Sequence, residues 1–136
     1  MTVPADFVTW DRPSPLLDRL GDFRRHRLQP GTFGFLVDEP KLNARGLVHA
    51  GAISTIADVC IGHTLADATD PPAALVTINL NTNFIGAASV DDWVDVTVRI
   101  HRVGGRVATG SVEFRRGERV IAQASAIFIP AARDRE

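Results

Sequence analysis

Between residues 53 and 68 the apolar side chains fall at Ile53, Ile56, Ala57, Cys60, Ile61, Leu65 and Ala68, with Thr64 the one polar member of the row. Steps of three and four put them on one wide face, which predicts a long helix with a single buried stripe. His49-Ala50-Gly51 stands where that helix opens, and Asp67-Ala-Thr-Asp-Pro-Pro72 closes it, because proline cannot continue a helix. After Pro72 the period becomes two. Residues 74–85 alternate Val76, Ile78, Leu80 and Phe84 against Thr77, Asn79, Asn81 and Asn83, and residues 93–102 set Val94, Val96, Val98 and Ile100 together. Residues 107–115 turn Ala108, Gly110, Val112 and Phe114 inward, and 120–129 turn Val120, Ala122, Ala124, Ala126 and Phe128 inward. Gly104-Gly105 predicts a two-residue hairpin and Arg116-Gly117 a second tight turn, so these strands are antiparallel. The small inward residues of the last two strands leave a shallow trough in which a one-sided helix fits.

The first third of the chain is less periodic. Residues 1–13 carry two prolines and read as an arm, and Ser14-Pro15 supplies a cap and first residue for a short helix to about Phe23. Arg24-Arg25-His26-Arg27 reads as a solvated basic run, residues 31–37 as a short aromatic strand, and residues 38–46 as a loop. The expected organisation is an arm (1–13), one α+β domain (14–130) with a long helix wrapped by a curved antiparallel sheet, and a tail (131–136).

Length fits one domain, and 45% hydrophobic with 23% charged residues excludes a disordered or fibrous chain. A formal charge of −1 offers no footprint for nucleic acid or an anionic membrane. Lys41 is the only lysine, so an anion site must use arginine forks or backbone amides. Cys60, alone, permits neither an intrachain disulfide nor a multi-cysteine metal site, and fits a reducing compartment. Residues 50–68 are interrupted by Asp58, His63 and Asp67, which marks a core helix rather than a membrane span. The first residues lack a basic-then-apolar stretch, so a cytoplasmic location is expected. His26, His63 and His101 share no ligand spacing, so no metal is expected.

The element order, with Asn43-Ala-Arg-Gly46-Leu-Val-His49-Ala-Gly51 opening the helix and Asp58 within it, resembles the hotdog-fold acyl-CoA thioesterases. The branch it resembles is the phenylacetate-pathway, PaaI-like one, over about residues 30–130. The most specific piece is Asn-x-x-Gly-x-x-His-x-Gly-x(6)-Asp, from Asn43 to Asp58; the family usually has His-Gly-Gly where this chain has His49-Ala50-Gly51. The resemblance implies hydrolysis of an acyl-CoA to a carboxylic acid and free coenzyme A without a cofactor. It implies Asp58 as the catalytic carboxylate and Asn43 holding the water or thioester. The Ala50 amide would polarise the carbonyl, with His49 and Gly51 beside it, and Thr77 would assist the carboxylate. It also implies homodimers with shared sites, which in many relatives pair into tetramers.

The same residues carry a reading of their own. A helix start presents unpaired N–H groups and a positive partial charge, which suit a carbonyl becoming an oxyanion. Asp58 lies nine residues beyond His49, roughly 13 Å along the axis, so one helix cannot bring both to one carbonyl. Two copies about a twofold axis can, which suggests an obligate dimer. Plainer roles stand beside these: His49 as a helix cap, Asn43 as an Asx-turn residue, Thr77 as a strand former and Cys60 as inert core. Arg102, Arg106, Arg115, Arg116 and Arg119 gather at hairpin ends as a charged rim, or, through Arg106, as a grip on coenzyme A phosphates. The rival functions are a non-catalytic acyl-CoA-binding or regulatory protein of the same fold, and a hydratase, whose Asp–His pairing the spacing does not match.

Overall fold

The computed structural model describes residues 3–132; Met1 and Thr2 of the arm, and residues 133–136 of the expected tail, lie outside the described residues. In chain order the elements are β1 (Phe7–Thr9), α1 (Pro15–Arg19), β2 (Arg24–His26), β3 (Thr32–Leu36), a 3-10 turn (Glu39–Lys41) and α2 (Ala50–Asp67). Then follow β4 (Leu75–Phe84), β5 (Trp93–Val103), β6 (Ala108–Arg116) and β7 (Arg119–Pro130). Seven strands form one antiparallel sheet in the order β1-β2-β3-β5-β6-β7-β4, curved around α2 as the expected α+β hotdog arrangement requires. No helix among the described residues is long and apolar enough to cross a membrane.

The helix stripe is seated as its period demands. Ile53, Ile56, Ala57, Cys60, Ile61 and Leu65 are buried, while Thr64 satisfies its hydroxyl on the Cys60 carbonyl at 2.7 Å. Ala108, Ala122, Ala124 and Ala126 are buried beneath α2, and a Cβ at Gly110 would come within 3.2 Å of Ile61 and 3.1 Å of the Arg99 carbonyl. The helix therefore rests close to backbone there, and a side chain at position 110 would have to push Ile61 or the strand aside by a few tenths of an ångström.

Several details differ from the sequence expectation. α1 stops at Arg19, and Phe23 instead stacks on Phe33 with centroids 5.8 Å apart. The basic run is strand β2, with Arg24, Arg25 and Arg27 paired to Asp22, Asp11 and Asp6. Arm residues Phe7–Thr9 add β1 alongside it. Strands of three residues are too short to show a period. The β5–β6 hairpin turns over Gly105-Arg106, one residue later than expected, closed by Gly104 N–H donating to the Val107 carbonyl at 2.9 Å. In β7 a register shift sends Ile121 rather than Val120 into the core. The shift that matters most is in β4, between Thr77 and Asn79.

Candidate active site

The segment before α2 is built by its own side chains. Asn43 Oδ1 accepts from the N–H groups of Arg45 at 2.8 Å and Leu47 at 3.1 Å. The Asn43 carbonyl accepts from Gly46 at 3.0 Å, and Gly46 has φ +79, the left-handed conformation glycine adopts without strain. His49 N–H donates to the Lys41 carbonyl at 2.7 Å, and its Nδ1 accepts the Gly51 N–H at 2.7 Å, so His49 caps α2. The exposed Ala50 N–H, first of the helix, has no acceptor among the described residues. Lys41 anchors this loop from beneath: it is 1% exposed, its Nζ lies 2.5 Å from Asp38 Oδ1 and 5.3 Å from the Phe35 ring centre. Burial pushes its pKa down, against the pull of the Asp38 carboxylate.

Asp58 sits on the flank of α2, half-buried, facing the edge strand β4. The Thr77 hydroxyl donates to Asp58 Oδ1 at 2.5 Å. One helical turn earlier, Ser54 Oγ donates to Thr82 Oγ1 at 3.3 Å. Simple alternation puts Thr77 on the face of Asn79, Asn81 and Asn83. The bulge at Ile78 breaks that phase: Thr77 pairs with inward Phe128 and Leu80 with inward Ala126, so both face the helix. The asparagines stay outside. A cavity of about 390 Å³ opens beside Asp58 and Thr77, walled by Val59, Leu75 and Phe128.

Its other end is polar. Arg12, from the arm, meets Asp67 with two contacts at 3.1 and 2.9 Å and directs Nη1 to His63 Nδ1 at 3.0 Å. A nitrogen facing a guanidinium accepts, so neutral His63 carries its proton on Nε2. Trp10 meets the same imidazole edge-on at 5.0 Å. Burial and the Arg12 charge hold the His63 pKa below its ordinary value, against Asp67 and Asp58. Among the described residues no three His, Cys, Asp or Glu side chains gather as a metal site.

A family model described as the thioesterase superfamily matches residues 45–123. A Pseudomonas aeruginosa protein provisionally named an esterase, PA0474, is 39% identical over 130 residues, covering 94% of this chain and 97% of that one. The chain belongs to the thioesterase superfamily. It is accordingly a thioester hydrolase. A hypothetical thioesterase of Streptococcus pneumoniae solved with coenzyme A superposes with a TM-score of 0.74 at 17% identity, over 82% of this chain and 90% of that one. The Escherichia coli PaaI protein from the phenylacetic acid degradation operon superposes with a TM-score of 0.71 at 15% identity, over 88% and 86%.

Within this thioesterase-superfamily chain the expected site residues form two groups. Asn43, His49, Ala50 and Gly51 gather at the start of α2, while Asp58 and Thr77 meet about 12 Å further along the axis by the rise of a helix. The Gly51 amide is already taken by His49, which leaves the amides of exposed Ala50 and buried Ala52 without an acceptor among the described residues. Arg106 is exposed at the hairpin tip, two residues beyond Ala108; Ala108 pairs with Phe128 and Phe128 with Thr77. At about 4.8 Å per strand the turn stands roughly 10 Å to the side of Thr77. Sequence reasoning did not find Arg12, His63 and Asp67. The i, i+4 placement of His63 and Asp67 on one helix face was a signal; Arg12 gave none.

Proposed function

We propose that this protein hydrolyses acyl-CoA thioesters, with water as the second substrate and a carboxylic acid and free coenzyme A as products. The observation that carries the reading is an Asp58 carboxylate held by the Thr77 hydroxyl at the wall of a largely apolar cavity. Coenzyme A as the carrier is supported by the streptococcal neighbour solved with that molecule. Asp58 supplies the negative group that acts on the carbonyl carbon, and Thr77 fixes which oxygen is free to do so. The Ala50 N–H receives the charge that develops on the carbonyl oxygen, in the field of the helix start. Asn43 orders the loop with Oδ1 and directs its Nδ2 group to the thioester or water. His49 and Gly51 shape the rim, and Arg106 offers a fork to a coenzyme A phosphate.

The two groups lie too far apart on one helix to serve one carbonyl, so the working unit is a homodimer in which one copy's helix start faces the other's Asp58. The exposed apolar side chains of edge strand β4, Ile78 at 54% and Phe84 at 50%, and of Ile85 just past its end, at 59%, support a partner there. Sedimentation separates a dimer from a pair of dimers.

Free-thiol release from a panel of aromatic and aliphatic acyl-CoAs, for wild type and Asp58→Asn, tests the proposal. Turnover in wild type and a loss of about 100-fold or more in kcat in the variant are expected. Acyl-CoA binding without thiol release by wild type would instead favour the non-catalytic reading. Single turnover in ¹⁸O-water probes the use of the carboxylate: label entering Asp58 means an anhydride opened at its aspartyl carbon, which a base-activated water attacking the thioester does not produce.

A further inference from the structure

Two cavities share a wall. The cavity beside Asp58 measures about 390 Å³, and a second of about 600 Å³ lies over the arm, β2 and β3. Arg12, His63 and Asp67 line both. These three side chains are fastened to one another, with Arg12 bonded to Asp67 at 3.1 and 2.9 Å and to His63 at 3.0 Å. Trp10 braces the same point through its edge-on contact with His63, and its indole N–H donates to the Arg12 carbonyl at 2.8 Å. The second cavity has apolar walls in Trp10, Phe33, Ala68 and Ile100, beside charged ones that include Arg25 and Arg27.

We infer that Arg12, clamped to α2 by Asp67 and His63, is the end stop of the acyl pocket and sets the length of acyl group this enzyme accepts. The inference rests on the proposed acyl-CoA hydrolysis at Asp58. An acyl chain whose carbonyl lies at Asp58 extends past Val59 and Gly62 and meets the Arg12–Asp67 pair. A longer chain would have to bury its end against that ion pair or force the pair apart, and both are unfavourable. Without the guanidinium the two cavities become one channel, and the added length is lined by Trp10 and Phe33. Arg12 acts here through bulk and anchorage, not by touching the reacting atoms, so it is a specificity residue.

The test uses straight-chain acyl-CoAs from butyryl to palmitoyl, together with the matching alkyl-CoA thioethers, which bind but cannot be hydrolysed. Wild type, Arg12→Ala and Arg12→Met are compared. In wild type, kcat/KM and thioether affinity rise with chain length and then break. In Arg12→Ala the break moves to longer chains. A chain just beyond the wild-type limit gains about tenfold relative to butyryl, the factor that two newly buried methylene groups supply. Arg12→Met keeps bulk without the anchorage, so its limit falls between those of wild type and Arg12→Ala. Loss of fold does not imitate this result, because Arg12 is half exposed and the readout is a ratio within each variant. Identical length profiles in wild type and Arg12→Ala, with turnover present, would overturn the end stop and leave the hydrolase reading standing. A thioether break that moves while wild type hydrolyses nothing would overturn the hydrolase reading and leave the end stop standing. Binding of no thioether and no turnover would overturn both.

Discussion

Thr77 reaches Asp58 because β4 carries one extra residue. The hydroxyl donates to Asp58 Oδ1 at 2.5 Å only because the bulge at Ile78 moves Thr77 from the asparagine face to the helix face. A hydroxyl held to a carboxylate restricts its rotation and leaves the second oxygen open for the proposed chemistry. Thr77→Val keeps the shape and removes the donor; a hydrogen bond to a charged group is worth about 1.5–3 kcal/mol, so kcat should fall by about tenfold or more. Thr77→Ser should recover most of it. Steady-state kinetics of the three proteins decide, and Thr77→Val at wild-type rate would show that the bond is structural only.

The proposed function gives Asn43 two separable duties. Its Oδ1 accepts from the amides of Arg45 and Leu47, and the proposed function assigns its Nδ2 group to the thioester or water. Asn43→Asp keeps the acceptor and loses the donor, so it should melt close to wild type yet turn over slowly. Asn43→Ala loses both and should also lose about 1–2 kcal/mol of stability. Thermal melts beside kinetics separate the duties; full activity in Asn43→Asp would leave Asn43 a loop residue alone.

The buried Lys41–Asp38 pair should respond asymmetrically to mutation. Removing Asp38 leaves a buried ammonium without its partner, while removing Lys41 leaves a carboxylate that is 36% exposed and still accepts the Asp22 N–H. Asp38→Ala should cost about 3 kcal/mol, and Lys41→Met should be near neutral, as is common when a buried ion gives way to an apolar isostere. Urea unfolding measures both, and equal losses would contradict the asymmetry.

His63 gives the fold a pH dependence of known sign. Its folded pKa lies below the ordinary 6.5 because burial and Arg12 disfavour the cation. As pH falls, the unfolded chain takes up this proton first. The contribution of His63 is complete above its unfolded pKa and is lost as pH falls through the lowered folded value. Wild type should therefore lose more melting temperature than His63→Gln between neutral pH and about pH 5. Parallel slopes would show that other groups carry the acid response.

Long periodic elements were readable from sequence because burial imposes their period. The α2 stripe from Ile53 to Leu65 and the trough of Ala108, Gly110, Ala122 and Ala124 appear where alternation put them. The motif around Asn43 and His49 was also readable, since its contacts run between near neighbours in the chain. Bulges were not: one inserted residue reverses every later side chain, and neither Ile78 nor Ile121 differs in composition from its neighbours. The Arg12–Asp67 clamp was equally silent, since it joins residues 55 positions apart.

The proposed shared site has a direct test in a dimer assembled from two different defects. Ala50→Pro deletes the helix-start N–H while keeping the helix, since proline suits the first helical position and His49 already has φ −72 and ψ 138, as a residue before proline requires. Asp58→Asn deletes the carboxylate function. Each variant alone should be inactive, because both sites of its homodimer are broken. Co-expressed with different tags and purified through both, the mixed dimer carries one site with neither defect and one with both. About half of wild-type kcat per mixed dimer is expected, one working site of two. A mixed dimer as inactive as its parents would contradict a site built from one copy's helix start and the other's Asp58.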